Sequence, residues 1–251
     1  MPIHPIRRGL RVARRFLVVA FCICACLTEY LIHFLTGQKA LNQRTFPLHR
    51  WSAVALRWLG VKVVVQGVLP EKGLVVSNHL SYLDILVFSA VAPCAFVAKR
   101  EIRSWPGVGW IATLAGTIYI DRSRRSATHW IQPEIAAALA ARSRLVIFPE
   151  GTSSDGKQIL PFRSSLLQPA IENRTSITAA SLSYEIEDGD PAVDVCYWGN
   201  MKMAPHALKL FGKNGVTATL RFGGRSQVFT DRKEAVRILQ KEVTALKGLP
   251  T

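Results

Sequence analysis

His79 and Asp84, five positions apart in the run Asn78-His79-Leu80-Ser81-Tyr82-Leu83-Asp84, have the chemistry of a general base and its orienter. Imidazole titrates near neutrality and a carboxylate can fix its tautomer, so such a pair can draw the proton from a hydroxyl. Spacing restricts how they meet. Inside one regular helix, five steps of about 100° would leave the side chains roughly 140° apart. His79 is therefore expected in a strand-to-helix turn, with Ser81 capping the helix and Asp84 at its third position, the serine-x-x-acid arrangement. The carboxylate would then hold one ring nitrogen while the other faces a substrate hydroxyl, as in a catalytic triad that lacks its enzyme nucleophile. The bland alternative is that Asp84 only caps a helix and His79 only packs. No third ligand stands at a recognisable spacing, so no metal is expected.

Two further runs carry chemistry. Gly116-Thr117-Ile118-Tyr119-Ile120-Asp121-Arg122 ends a strand in an arginine, with Arg124 and Arg125 following. Guanidinium groups offer several fixed donors to phosphate oxygens. Phe148-Pro149-Glu150-Gly151-Thr152-Ser153-Ser154 supplies a tight turn whose glycine lets backbone N–H groups approach a ligand. Taken singly, these are a solvated basic loop and an ordinary turn.

The elements that must position these residues are legible as apolar runs. Strand patterns cover 61–65, 74–76, 95–98, 116–120, 145–148, 177–182, 193–197 and 216–222, and helical patterns cover 85–91, 107–115, 126–142 and 231–246. This alternation predicts a single layered α/β domain, a mixed central sheet flanked by helices, over 60–251, with functional residues where strands end. Residues 1–59 are expected to form a basic N-terminus and membrane-associated helices. A helix over 48–59, with Leu48, Trp51, Leu56, Trp58 and Leu59 among basic residues, could lie on a membrane surface or pack in the core.

The 251 residues carry a formal charge of +15, which suits nucleic acid or an anionic membrane. Its distribution favours the membrane. Arg7, Arg8, Arg11, Arg14 and Arg15 precede an apolar run over 16–35 that contains Glu29 and His33. Basic residues beside an apolar stretch favour the anionic cytoplasmic leaflet, so the expected location is the cytoplasmic face of the inner or plasma membrane. At about 20 residues, or roughly 30 Å as a helix, the run matches a bilayer core, yet its two ionisable residues fit a helix dipping into one leaflet equally well. Retention as an anchor is expected over cleavage as a signal peptide. Cys22, Cys24 and Cys26 lie in this run at a spacing that would not converge on a metal, and apolar filler is their expected role. Nucleic acid is not an expected partner, because no reading motif accompanies the charge.

In this order, the three blocks resemble the glycerolipid acyltransferase family, particularly the 1-acyl-glycerol-3-phosphate acyltransferases. The family's His-x4-Asp block matches His79 through Asp84, its Gly-x-x-aromatic-Ile-x-Arg block matches Gly116 through Arg122, and its Phe-Pro-Glu-Gly-Thr block matches Phe148 through Thr152. The resemblance implies acyl transfer from acyl-CoA or acyl-carrier protein, used as co-substrate without a cofactor, to the free hydroxyl of a membrane lipid acceptor, 1-acyl-glycerol-3-phosphate. For 1-acyl-glycerol-3-phosphate the product would be phosphatidic acid. His79 would be the base and Asp84 its orienter; Arg122 would take the acceptor phosphate; Glu150, Gly151 and Thr152 would join the acceptor site. Two departures bear on the acceptor: Ser165 stands where the family often has glycine after Phe162-Arg163, and Ile177-Thr178-Ala179-Ala180 replaces a proline-containing strand. Acylation of another lyso-lipid, such as a lyso-ornithine lipid, is the alternative within the enzyme class, and a non-catalytic membrane lipid-binding protein the alternative outside it. The absence of a Gly-x-Ser-x-Gly turn argues against a hydrolase.

Overall fold

The computed structural model describes residues 5–38, 40–120, 127–141 and 143–249, and among the described residues seven strands and nine α-helices form three layers. The strands are β1 (Val61–Gln66), β2 (Gly73–Ser77), β3 (Cys94–Lys99), β4 (Ile118–Ile120), β5 (Arg144–Ile147), β6 (Ile177–Ile186) and β7 (Val216–Phe222). They lie in the order β1-β7-β6-β2-β5-β3-β4. All neighbours are parallel except β6 and β7, which run antiparallel with Leu182 opposite Leu220. The sheet is therefore mixed, as expected. β2 is buried along its whole length, which explains why it reads as an unbroken apolar run rather than an alternating one.

Helices cover both faces. On one side lie α1 (Pro5–Leu35), α2 (Leu41–Leu59), α3 (Leu83–Val91) and α8 (Met203–Phe211), sharing a core with Leu56, Phe88, Phe96, Leu182 and Leu220. On the other lie α5 (Ala127–Ala140), α6 (Gln168–Glu172) and α9 (Arg232–Lys247), packed through Leu139, Leu167 and Leu239. Short helices α4 (Val108–Leu114) and α7 (Pro191–Asp194) fill connections.

The N-terminal helices are built into this core. Along α1, Cys22, Cys26 and Tyr30 recur every fourth residue and are buried, while Cys24 is turned outward. The Tyr30 hydroxyl donates to the Arg44 carbonyl at 2.9 Å, and Glu29 accepts from Trp51 Nε1 at 2.8 Å and pairs with Arg50 at 3.2 Å. Glu29 thus meets protein partners. The arginines divide: Arg15 is only 3 % exposed, its Nη1 donating to the carbonyls of Phe211 (3.0 Å) and Lys213 (2.6 Å), and Arg11 bonds the Asn214 side chain at 2.6 Å. A cation at the end of α8 satisfies carbonyls that the helix leaves unpaired. Outward, α1 shows Phe16, Leu17, Phe21, Leu31, Phe34 and Leu35, continued by Trp58 of α2, Trp110 of α4 and Leu208 of α8.

Two expectations change. The segment 193–197 is not a strand: Asp190 accepts from the Ala192 amide at 2.9 Å, Pro191 opens a helical turn, and α7 ends at Asp194. An aspartate followed by proline is a strong helix start, and here it overrides the apolar run. The helix expected from residue 48 begins earlier, at Leu41, and buries Leu48, Leu56 and Leu59 while leaving Trp58 exposed.

Candidate active site

β2 and β5 are adjacent parallel strands, so the turns that leave their C-terminal ends meet. Between β2 and α3 the chain is neither strand nor helix, and His79 sits there, half-buried. Its Nδ1 lies 2.7 Å from Asp84 Oδ2. A carboxylate only accepts, so Nδ1 carries the proton and Nε2 of the neutral ring holds the free lone pair. Asp84 is wholly buried in the first turn of α3, and the same Oδ2 takes the backbone amides of Leu80 (2.7 Å) and Ser81 (3.0 Å). The capping and orienting readings therefore describe one carboxylate. Ser81 is not the cap expected of it: its amide donates to Asp84, but its hydroxyl makes no capping bond. Only the carboxylate half of that arrangement is present.

The turn after β5 grips the histidine. Glu150 Oε1 accepts the His79 amide at 3.1 Å, and the Ser154 amide donates to the His79 carbonyl at 3.0 Å, so both backbone polar groups of His79 are held by one turn. Gly151, at φ 76°, makes that turn possible, and its amide donates to the Phe148 carbonyl at 3.0 Å. The Phe148 ring stacks on the imidazole with centroids 4.3 Å apart and planes 14° from parallel. Glu150 is only 4 % exposed, and burial pushes its carboxyl up to about 8 against the pull of the His79 and Leu160 amides. At neutral pH this group is largely uncharged. Thr152 is exposed at the rim of the turn.

The fold thus brings together His79, Asp84, Glu150, Gly151 and Thr152. Arg122 lies outside the described residues. β4, which stops at Ile120, is three strand positions from β2, about 14 Å at the usual spacing.

Three contributors escaped sequence reasoning. Tyr184, on β6, donates its hydroxyl to Asp84 Oδ1 at 2.7 Å from a site only 6 % exposed. Burial, and then the charge of Asp84, hold the phenol well above its usual range, so it remains the donor. The available signal was a tyrosine on the inward face of a strand, whose hydroxyl needs a partner. Asn78 extends the sheet where β2 stops, its Oδ1 accepting the Leu182 amide (2.8 Å) and its Nδ2 donating to the Leu182 carbonyl (3.0 Å). Lys247, at the end of α9, brings its ammonium 3.4 Å from the same carbonyl. Burial pushes that ammonium down, while Cys196, Glu150 and Asp84 pull it up.

A buried acid, a tautomer-fixed imidazole and a clamped backbone are equipment for taking a proton from a hydroxyl. Comparison with known proteins gives the family. The acyltransferase family model matches residues 60–183. The lyso-ornithine lipid O-acyltransferase of Brucella abortus is 33 % identical over 259 residues, covering 93 % of each chain. The 1-acyl-sn-glycerol-3-phosphate acyltransferase of Neisseria gonorrhoeae is 35 % identical over 150 residues, 56 % of this chain and 59 % of that one. In fold, the chain matches the crystal structure of the 1-acyl-sn-glycerophosphate acyltransferase PlsC from Thermotoga maritima, with a TM-score of 0.69, 20 % identity and 98 % coverage of both chains. Motif order, sheet topology and whole-length similarity converge: the chain is an O-acyltransferase and belongs to the family of the lysophosphatidic acid and lyso-lipid acyltransferases.

Proposed function

We propose that the chain moves a fatty acyl group from a thioester, acyl-CoA or acyl-carrier protein, to the hydroxyl of a lyso-ornithine lipid, with His79 as general base. The acceptor assignment is carried by one observation. The Brucella abortus relative, named for that activity, aligns over 93 % of both chains, whereas the Neisseria gonorrhoeae relative aligns over 56 % of this chain. The 35 % identity in that narrower region favours a second reading, acylation of 1-acyl-glycerol-3-phosphate to phosphatidic acid, with Arg122 taking the phosphate.

In the proposed reaction the acceptor hydroxyl oxygen attacks the thioester carbonyl carbon while His79 Nε2 takes its proton. Asp84 offsets the positive charge that the imidazolium acquires. The tetrahedral intermediate then expels the thiolate, which recovers the proton from His79. Positioned proton transfer of this kind contributes on the order of a hundredfold to ten-thousandfold. Phe148 fixes the ring plane, and Glu150, Gly151 and Ser154 fix the backbone beneath it. Glu150 acts here as a positioning group for the base as well as a wall of the acceptor site, with Thr152 at its rim.

Each buried methylene is worth about 0.8 kcal/mol, so a long-chain acceptor stays in the bilayer and the enzyme must reach it there. Because Arg15, Cys22, Cys26 and Tyr30 hold α1 along the body of the protein, its outward apolar face suits insertion into one leaflet rather than a free span. Arg7, Arg8 and Arg14 remain for anionic headgroups, on the cytoplasmic side where thioester donors are made.

The test is thiol release by the purified protein with lyso-ornithine lipid and with 1-acyl-glycerol-3-phosphate, for wild type and His79→Ala. Turnover of lyso-ornithine lipid, at least about a hundredfold slower in the variant, is expected. Turnover confined to the glycerol phosphate would select the second acceptor. Undiminished turnover in His79→Ala would remove the base from its role.

A further inference from the structure

A basic groove runs along α9, on the face of the sheet opposite α1 and α2. Lys233, Arg237 and Lys241 recur every fourth residue and so form one row, turned away from the buried row Ala235, Leu239 and Val243. All three cations are exposed, and none is in an ion pair among the described residues. Two carboxylates share the helix: Glu234 lies beside the row in the first turn, and Glu242 turns away to accept from Gln227. Facing the row, the segment after the catalytic turn supplies Lys157, Gln158 and Ile159, and a groove of about 650 Å³ lies between them and Arg237, Gln240, Lys241 and Thr244.

The groove joins the site through residues already in the catalytic assembly. Ser154 bonds the His79 carbonyl, and Gly156 packs so closely on Leu80 that an added Cβ would lie 3.2 Å from its side chain. Lys157 follows at once. One turn beyond Thr244 on α9, Lys247 reaches the Leu182 carbonyl that Asn78 also holds.

We infer that this groove is the docking surface for the donor, and that the donor is presented by an acidic acyl-carrier protein, whose carboxylates meet Lys157, Arg237 and Lys241. The inference rests on the acyl-transfer reading of His79. A water-soluble donor must approach while the apolar helices sit in the lipid, and α9 occupies the layer on the other side of the sheet. From Lys233 to Lys241 the row spans eight residues, about 12 Å of helix. Exposed cations spread over that length suit spaced carboxylates on a protein face; the phosphates of a coenzyme would call for converging donors.

The test uses the full chain with Arg237→Glu and Lys241→Glu combined, both positions lying on the exposed face of α9. Rates are measured with palmitoyl-acyl-carrier protein and with palmitoyl-CoA, and carrier-protein binding is followed separately by fluorescence anisotropy. The variant is expected to raise KM for the carrier-protein thioester and weaken its binding on the order of tenfold, leaving kcat and both other KM values unchanged. It should also flatten the salt dependence of kcat/KM for that donor. Unchanged carrier-protein binding would overturn the inference, as would a parallel rise in KM for palmitoyl-CoA or lost binding to phosphatidylglycerol vesicles. Wild-type turnover of palmitoyl-CoA alone would overturn the docking surface and spare the acyl-transfer reading. Carrier-protein binding without turnover of any lyso-lipid by either donor would support the surface and overturn the reaction.

Discussion

At the scale of single residues, the role proposed for His79 depends on what surrounds it. Asp84 accepts from the imidazole and two backbone amides at Oδ2 and from the Tyr184 hydroxyl at Oδ1, so both of its oxygens are held. A hydrogen bond to a charged acceptor contributes about 1.5–3 kcal/mol. Tyr184→Phe keeps the ring and removes only that bond, so kcat should fall about tenfold or more with KM for both substrates unchanged. Steady-state kinetics read this directly; a rise in KM at constant kcat would assign Tyr184 to binding instead. Glu150 yields a pH prediction of definite sign. Its folded-state value of about 8 exceeds the ordinary 4.5, so between these limits the folded protein keeps a proton that the unfolded chain releases, and stability falls as pH rises. Glu150→Gln should therefore become progressively more stable than wild type from about pH 5 to about pH 8, by up to ~1.4 kcal/mol per pH unit, and the gap should level off above that. Denaturant melts across the range measure it, and a gap independent of pH would contradict the buried neutral acid.

At the scale of elements, α1 is a docked helix. Its buried guanidinium, Arg15, bonds the carbonyls of Phe211 and Lys213 where α8 ends. Arg15→Ala would leave those carbonyls to the solvent and the helix end without its cation, at a cost of about 2–4 kcal/mol. Chemical denaturation in detergent should show that loss, together with faster proteolysis near the start of α1. Cleavage at the wild-type rate would mean that the arginine does not hold the helix. The sequence placed these arginines beside an apolar run, and that much was legible. Which of them face lipid and which face protein was not, because the partners of Arg15 are almost two hundred residues away. Similarly, Val193 and Val195 are as apolar as a strand requires, but the local pull of Asp190 and Pro191 makes α7 of that segment.

At the scale of the whole molecule, an apolar face formed by α1, α2, α4 and α8 and a basic row on α9 lie on opposite sides of one sheet, with the site where β2 and β5 end between them. The sequence by itself determined the layered α/β class, the strand-to-helix turn at His79 and the family, since periodicity, turn residues and ordered motifs are local properties. It also paired His79 with Asp84, because five residues across a turn leave little freedom. Only the tertiary structure decided that Tyr184 tethers Asp84, that Glu150 clamps the His79 backbone, and that Asn78 carries the sheet past the end of β2. Those contacts join residues 71 to 104 positions apart, and no local spacing encodes them. They exist because β6, β2 and β5 are neighbours in the sheet, a fact of topology that parallel strands acquire only when the intervening helices have packed.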